Sequence, residues 1–523
     1  MTAALARLAG RLEAALGARR APVVLAALTG ALYWWLAGSL SPLPWVYDEA
    51  AYLLQAKIFA TGRWAAAGRP LPEFFEQIHV FVTPALVPKY PPGHALLLVP
   101  GVWLGQPWLV PLALTVATGG LVFAFGRGLL GVWAGLVGWL VWVTSPEELY
   151  IRPSYMSQVS TTFIWLVGWW ALDRWRERRQ PQFLLLLAAL AAGGVLVRPI
   201  TAAAFLIPIA IIVLPEVWRH REWKQLAAAI GVAVPILGVA AAWSYGSSGR
   251  VVPTPYSEYS RVYTPWNMPG FVIDRSPPLR AEIPAIERFR TEWMPVHEGH
   301  TVGRIPAIAA DRLRGIAVTF FGDGGGAGFR PRLRWLLLIG FAIGLVGLPR
   351  PLGFVLLSGG ALFVAMLWLA SRPLWTVYYL EVFPAVAAIT ANGVCRIARW
   401  LGRHRERPVA SLAVLGGIVI AVPGTVERVL RAKQQQEDVR FVTTELARHV
   451  AAVPGRGIVF VAAGPRHRPY ESFVVNEPDL DRARVWIVHD RGPDNARLLQ
   501  FAADRTPYRF DPGTGTFGPL ARP

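Results

Sequence analysis

A polytopic α-helical membrane protein of about eleven transmembrane helices, followed by a small C-terminal α/β domain, is the fold that the sequence predicts. Three observations carry it. Only 16% of residues are charged, where a soluble domain usually carries about 25%, and 54% are hydrophobic, so most of the chain belongs in lipid. Apolar stretches close to the ~20-residue spanning length recur from Pro22 to Val422. Arginine clusters fall between them, as the positive-inside rule requires of cytoplasmic loops.

The elements follow in order. Arg7, Arg11, Arg19 and Arg20 precede the first apolar stretch, about Pro22–Leu40, which puts the N-terminus in the cytoplasm. That stretch lacks a small-residue cleavage site and reads as a retained span rather than a signal peptide. An outer segment, 41–106, comes next. In it Ala50–Thr61 patterns as an amphipathic helix lying on the membrane, with Ala51, Leu54 and Ile58 on one face and Gly62 as its stop. His94–Leu104 is apolar but short, and reads as interfacial. Spans are expected at Trp108–Phe125, Val132–Thr144, Ser157–Leu172, Phe183–Val197, Ile200–Leu214 and Leu226–Trp243. Arg127, the Asp173–Arg179 stretch and Arg219–Lys224 mark their inner ends. A second outer loop, 244–334, is polar and rich in Pro and Gly. Trp335–Leu348, Leu352–Ala370, Tyr378–Val394 and about Val409–Val422 complete the membrane part, with Arg350 and the arginines from Arg396 to Arg407 inside. The boundary is set at 422. Residues 423–523 carry no span, but a helical pattern at Val426–Val453, short strands at Ile458–Ala462 and Val485–Val488, a helix at Pro493–Ala503 and a strand around Tyr508. This small domain is expected on the outer side.

A net charge of +19 raises the question of nucleic acid, but its placement in loops between spans answers for a membrane instead. The single Cys395 excludes an internal disulfide framework and a multi-thiolate metal site.

Two strings carry chemistry. In Trp45–Trp64, Asp48 and Glu49 come just after an outward span and open the surface helix. An acidic pair at a helix N-terminus is commonly no more than a solvated start. At a membrane edge, however, carboxylates are functional candidates, and an Asp can strip a proton from an incoming hydroxyl. In Pro88–His94, PKYPPGH, two prolines and a glycine stiffen the backbone beside Lys89. Alone, Lys89 reads as a snorkelling anchor.

Together, a single span, an Asp-Glu opening a surface helix, and a Lys-x-Pro-Pro string before a short apolar helix resemble the GT-C glycosyltransferases. The pattern is similar to the branch of protein O-mannosyltransferases and the lipid A aminoarabinose transferase. Ser154–Trp170, Val197-Arg198-Pro199 and Tyr378-Tyr379-Leu380-Glu381 with Pro384 continue it in order. The resemblance implies inverting transfer of a hexose or pentose from a polyprenyl-phosphate donor to an acceptor hydroxyl at the outer face of the cytoplasmic (inner) membrane. The acceptor class (lipid, glycan or protein) stays open. Asp48, with Glu49, takes the catalytic place. Lys89, one residue displaced from the family lysine, and Arg198 and Arg372 suit the donor phosphate, since Arg and Lys are the phosphate-binding cations. Tyr90, His94, Tyr256, Tyr259, Tyr378, Tyr379 and Glu381 are candidate sugar or lipid contacts. Some relatives carry a second acid where this chain has Ser157 and Gln158, so either Glu147 or Glu148 substitutes or Asp48 acts alone.

No ligand cluster for a metal stands out, although a divalent metal bridging the phosphate is compatible with the chemistry. His297-Glu298-Gly299-His300 lacks zincin spacing, and the glycine-dense Phe321–Phe329 lacks a P-loop ending. A transporter or flippase is the rival from another class, and it would show internal repeats, of which none is visible. An inactive scaffold of the same fold is the second rival.

Overall fold

The computed structural model describes residues 2–39, 42–280, 284–322, 333–401, 408–462, 464, 471 and 473–521. The N-terminal pair, α1 (Thr2–Gly17) and α2 (Ala21–Ala37), is bent by 91°. Gly38 stops α2 at φ +74°, a left-handed end that glycine adopts without strain. A short helix, α3 (Tyr47–Phe59), and a three-stranded antiparallel sheet in order β1-β3-β2 (Ala66–Ala67, Val80–Phe81 and Ala85–Pro88 in chain order β1 to β3) fill the first outer segment, with α4 (Pro92–Trp103) closing it. The membrane part continues through α5 (Leu109–Leu130), α6 (Val132–Val143), the short α7 (Pro146–Ile151), α8 (Gln158–Arg178), α9 (Pro181–Val197), α10 (Pro199–His220) and α11 (Trp223–Ser248). The second outer loop is largely helical, with α12 (Pro255–Tyr263), α13 (Pro284–Glu298) and α14 (Ile305–Phe321). Then come α15 (Leu336–Gly344), α16 (Arg350–Met366), a 3₁₀ turn Thr376–Val382 running into α17 (Phe383–Leu401), and α18 (Pro408–Ala452).

Among the described residues five helical units are long and apolar enough to cross a membrane: α5, α10, α11, Thr376–Leu401 and α18. The α1–α2 pair makes a sixth if it counts as one span, and α6, α9 and α16 are apolar but shorter. The expected count of about eleven leaned on such short stretches, and on α8, whose helix runs on through the charged Asp173–Arg178.

Close helix packing in this part depends on missing side chains. Gly340 and Gly344 lie one turn apart on α15, facing α17. A Cβ on Gly393 of α17 would stand 1.7 Å from the Gly340 carbonyl oxygen, and one on Gly344 would stand 1.9 Å from that of Ile389. Small residues at such a seam let backbones touch, which is how helices associate where lipid offers no hydrophobic drive.

Two expectations change. α3 is not an amphipathic helix resting on the membrane: Ala50, Ala51, Leu54, Gln55, Ala56 and Ile58 are all buried, so it is enclosed on nearly every side. The boundary at 422 falls inside α18, which runs unbroken from Pro408 to Ala452. The compact C-terminal unit starts beyond it, with β4 (Gly457–Val461), β5 (Val485–His489), α19 (Asn495–Phe501), β6 (Thr506–Asp511) and β7 (Thr516–Pro519). Its sheet has the order β5-β4-β6-β7, with β4 parallel to both β5 and β6, and β7 is an antiparallel edge strand absent from the sequence reading. Phe74 and Phe75 of the first outer segment sit in this unit's core beside Trp486, and Lys57 pairs with Glu477 at 2.6 Å. The arginines at 403, 405 and 407 and the glycine-dense stretch beyond Gly322 lie outside the described residues.

Candidate active site

Prolines set the local geometry. The residue before a proline is steered out of the helical region. Arg198, before Pro199, is accordingly extended (φ −147°, ψ 92°), which ends α9 and starts α10 with the guanidinium at the break. Pro91 does the same for Tyr90, and Pro92 for Pro91 (φ −52°, ψ 149°), so that α4 opens at Pro92. Gly93 then lets α4 touch α9, since a Cβ there would meet Leu196 at 2.7 Å. The Lys-Tyr-Pro-Pro-Gly-His string is thereby seated against the end of α9 that carries Arg198.

Asp48 is the second residue of α3, its side chain 37% exposed. The Tyr90 hydroxyl donates to Oδ1 at 2.5 Å. The Tyr90 phenol is held well above its ordinary range by burial and by the Asp48 charge, so it remains a donor. His79 Nε2 stands 3.7 Å from Oδ2, beyond hydrogen-bond reach, and burial together with the Lys89 cation keeps the imidazole neutral, so this is not an ion pair. Oδ2 makes no hydrogen bond among the described residues.

Lys89 is buried, 3% exposed, with its ammonium over the rings of Tyr90, Tyr256 and Tyr259 at 5.3, 4.8 and 5.0 Å. Cation–π contacts compensate part of its lost hydration. Burial still pulls its pKa down to about 8, with the Asp48 carboxylate opposing the fall. The Lys89 amide donates to the His79 carbonyl at 2.9 Å and the His79 amide to the Tyr259 hydroxyl at 2.8 Å, so the cation is pinned through its own backbone. Tyr52 stacks on Tyr90 at 4.5 Å and donates to Ser157 Oγ at 3.0 Å. The Arg198 guanidinium lies 5.7 Å from the centre of the Tyr378 ring, and its charge acts on Tyr52 and Tyr256. One carboxylate, two cations and a cluster of tyrosines therefore share one partly open site.

Several sequence candidates are placed otherwise. Glu49 is fully buried and spends both oxygens on backbone amides, Oε2 on Trp45 at 3.1 Å and Oε1 on Tyr155 at 2.9 Å. It braces the start of α3 in the manner of a capping-box acid. His94 is buried with both ring nitrogens engaged, by Ser160 Oγ at 2.8 Å and the Tyr155 carbonyl at 2.7 Å. Tyr259 and Tyr379 are buried, and Glu381 is buried against Thr161, whose hydroxyl donates to it at 2.5 Å. Arg372 pairs with Glu292 at 2.5 Å and lies over Trp293, contacts that tie α13 to the segment before the 3₁₀ turn. Glu148 is spent on Arg152 at 2.5 Å and on the Trp142 indole at 2.8 Å; burial pushes its neighbour Glu147 up to about 7, but neither touches Asp48. His300 stacks on Phe271, and no group of three or more His, Cys, Asp or Glu among the described residues is gathered to hold a metal. The sequence reading missed His79 and Tyr52. Only the backbone betrays His79, with a left-handed φ of +72° that no pattern announces.

No family model matches the chain, and no curated protein matches it in sequence. Solved structures do. ArnT from Cupriavidus metallidurans bound to undecaprenyl phosphate is similar over 94% of each chain, with 12% identity and a TM-score of 0.55. The apo state of the same protein matches over 93% of this chain and 92% of its own, with 13% identity and a TM-score of 0.54. The arabinofuranosyltransferase AftD from Mycobacteria matches 94% of this chain but 35% of its own, at 14% identity and a TM-score of 0.43, too low to carry weight. At these identities the likeness is one of fold.

Proposed function

We propose that this chain, which has the fold of the GT-C membrane glycosyltransferases, moves a sugar from a polyprenyl-phosphate donor to an acceptor hydroxyl. Asp48 takes the hydroxyl proton as the oxygen attacks the anomeric carbon from the side opposite the phosphate. The bond from that carbon to the phosphate oxygen breaks, the configuration inverts, and polyprenyl phosphate leaves as an anion. Lys89 and Arg198 stabilise the charge that develops on it, the role preorganised cations fill best in a water-poor site. Tyr90 holds the carboxylate so that Oδ2 is the basic oxygen offered to the acceptor. Tyr256, half exposed, and Tyr378 offer faces on which a sugar can stack. The reading includes the outer face of the cytoplasmic membrane, with the N-terminus inside, the C-terminal domain outside and about eleven crossings when the shorter apolar helices are counted.

The observation that carries it is the pairing of a part-exposed Asp48 with the buried Lys89 cation, whose sequence neighbour Tyr90 is hydrogen-bonded to that carboxylate. A lysine that only anchored a membrane edge would keep its amine in water. The fold supports the donor class, since a chain of that fold was crystallised with undecaprenyl phosphate. The test is purified protein incubated with undecaprenyl-phosphate-linked pentoses and hexoses, alongside mass spectrometry of envelope lipids and glycans with and without the gene. Sugar transferred in vitro and one product missing in the deletion are expected. Unchanged envelopes with no transfer from any donor would contradict the reading.

A further inference from the structure

The long helix α18 reaches the start of α3. Gln436 and Arg440 lie one turn apart on α18, hence on one face, and both are buried. Gln436 donates to the Tyr150 carbonyl at 2.8 Å. Arg440 donates to the Leu43 carbonyl at 3.3 Å, to Gln436 Oε1 at 2.5 Å and to the Pro153 carbonyl. One guanidinium thereby joins the strand of chain that leads into α3 to the loop between α7 and α8. Glu49 bridges the same two segments, through Trp45 and Tyr155. The Arg440 cation also acts electrostatically on the buried Glu49 carboxylate. A third tie comes from the domain that α18 carries, where Glu471 forms a backbone bridge with Val46.

All three ties end on residues just before Asp48 or on its own neighbour. The loop that the Arg440 and Glu49 ties share supports the rest of the site as well: the Tyr155 carbonyl accepts from His94, and Ser157 accepts from Tyr52, which stacks on Tyr90. A fold needing only a stable connection between membrane part and domain has no reason to bury a charge on each side of this junction, since an apolar pair of equal volume is as stable or more so. Charges with directed bonds fix a position.

We propose that Arg440 and Glu49 are positioning residues for Asp48, so that the C-terminal segment is a working part of the catalytic site and not an appended module. The inference rests on Asp48 being the base.

The experiment compares Arg440→Gln, Arg440→Lys, Glu49→Gln and, as a control, Arg505→Gln in the full-length purified protein. Arg505 is equally buried but bonds to carbonyls within its own domain, those of Ala483, Arg484 and Gly457 among them. Melting temperature, Kd for undecaprenyl phosphate and kcat with the best undecaprenyl-phosphate-linked sugar are measured for each. Because small displacements of a base cost rate far more than binding, Arg440→Gln and Glu49→Gln should lose about 10- to 100-fold in kcat. Kd should stay within about twofold, because the phosphate cations are not on this junction. Arg440→Lys, which keeps the charge but not the fork, should fall between. Arg505→Gln should lower the melting temperature and leave kcat per folded molecule unchanged. Wild-type kcat in folded Arg440→Gln or Glu49→Gln would overturn the proposal, as would equal kcat losses in Arg505→Gln. If Arg440→Gln does not fold, Arg440→Lys and Glu49→Gln decide on the same criteria. Asp48→Asn run beside them separates the layers: full turnover there would overturn the assignment of the base, and this inference with it.

Discussion

Raising the pH through about 8 should loosen the protein's hold on a polyprenyl phosphate, because burial brings the Lys89 ammonium down from 10.5 to about that value. If only the charged amine binds, the charged fraction falls from about nine-tenths one unit below that pKa to about one-tenth one unit above, so Kd rises about tenfold between pH ~7 and pH ~9. The ceiling is the loss of one charge-assisted bond, ~1.5–3 kcal/mol or about 10- to 150-fold. A phosphate monoester gains charge above pH ~6 and would by itself bind a cationic site more tightly there, so a weakening has one source. Stability runs the other way. Lys89 has a lower pKa folded than unfolded, so the unfolded chain binds more protons between about 8 and 10.5, and stability rises with pH across that window. Below about 8 the buried charge costs on the order of 3 kcal/mol, and Lys89→Met should therefore not destabilise the empty protein. The assay is equilibrium binding of radiolabelled undecaprenyl phosphate to protein in nanodiscs, across pH, with Lys89→Gln beside the wild type. The variant should bind weakly with no alkaline fall. A wild-type Kd that stays flat over that range, or a Lys89→Gln Kd equal to it, would refute the reasoning.

Three further outcomes are expected. Arg372→Gln breaks a half-exposed pair with Glu292 and should cost under about 1 kcal/mol of stability without moving the undecaprenyl phosphate Kd; a tenfold weaker Kd would return Arg372 to the phosphate. Gly393→Ala forces a methyl into the Gly340 backbone and should lower stability by about 1–3 kcal/mol, read as melting temperature, whereas Gly353→Ala, where nothing lies within 4 Å, should not. Alkaline phosphatase fused after Pro523 should be active and green fluorescent protein there dark; the reverse would put the C-terminal domain in the cytoplasm.

The membrane helices were legible because lipid imposes one long, uncharged pattern, and the ends of α9, α10 and α11 fall within a few residues of where arginine and proline place them. The outer segment was not. A pattern of apolar positions on α3 suggested one buried face, but a helix enclosed by α4 and the small sheet is buried on nearly every side, and short apolar stretches do not say which. Asp48 was singled out by its place at a membrane edge and Lys89 and Arg198 by the order of motifs around them, and the fold brings the three to one cluster of tyrosines. Glu49 carried the same signal for a different reason: it is buried to bind backbone amides, and composition does not separate that from catalysis. Arg440 had no signal at all. Its partners are carbonyls far off in sequence, Leu43 and Pro153, which only the folded chain brings together.

The central claim is that Asp48 is the base for sugar transfer. Asp48→Asn keeps the shape and the place for the Tyr90 hydroxyl to donate, and removes only the proton acceptor. Turnover of an undecaprenyl-phosphate-linked sugar by the purified variant, with its undecaprenyl phosphate Kd measured in the same preparation, is the most direct test. The account predicts a kcat lower by ~10²–10⁴-fold with the Kd largely kept. A folded Asp48→Asn that transfers sugar at the wild-type rate would contradict it.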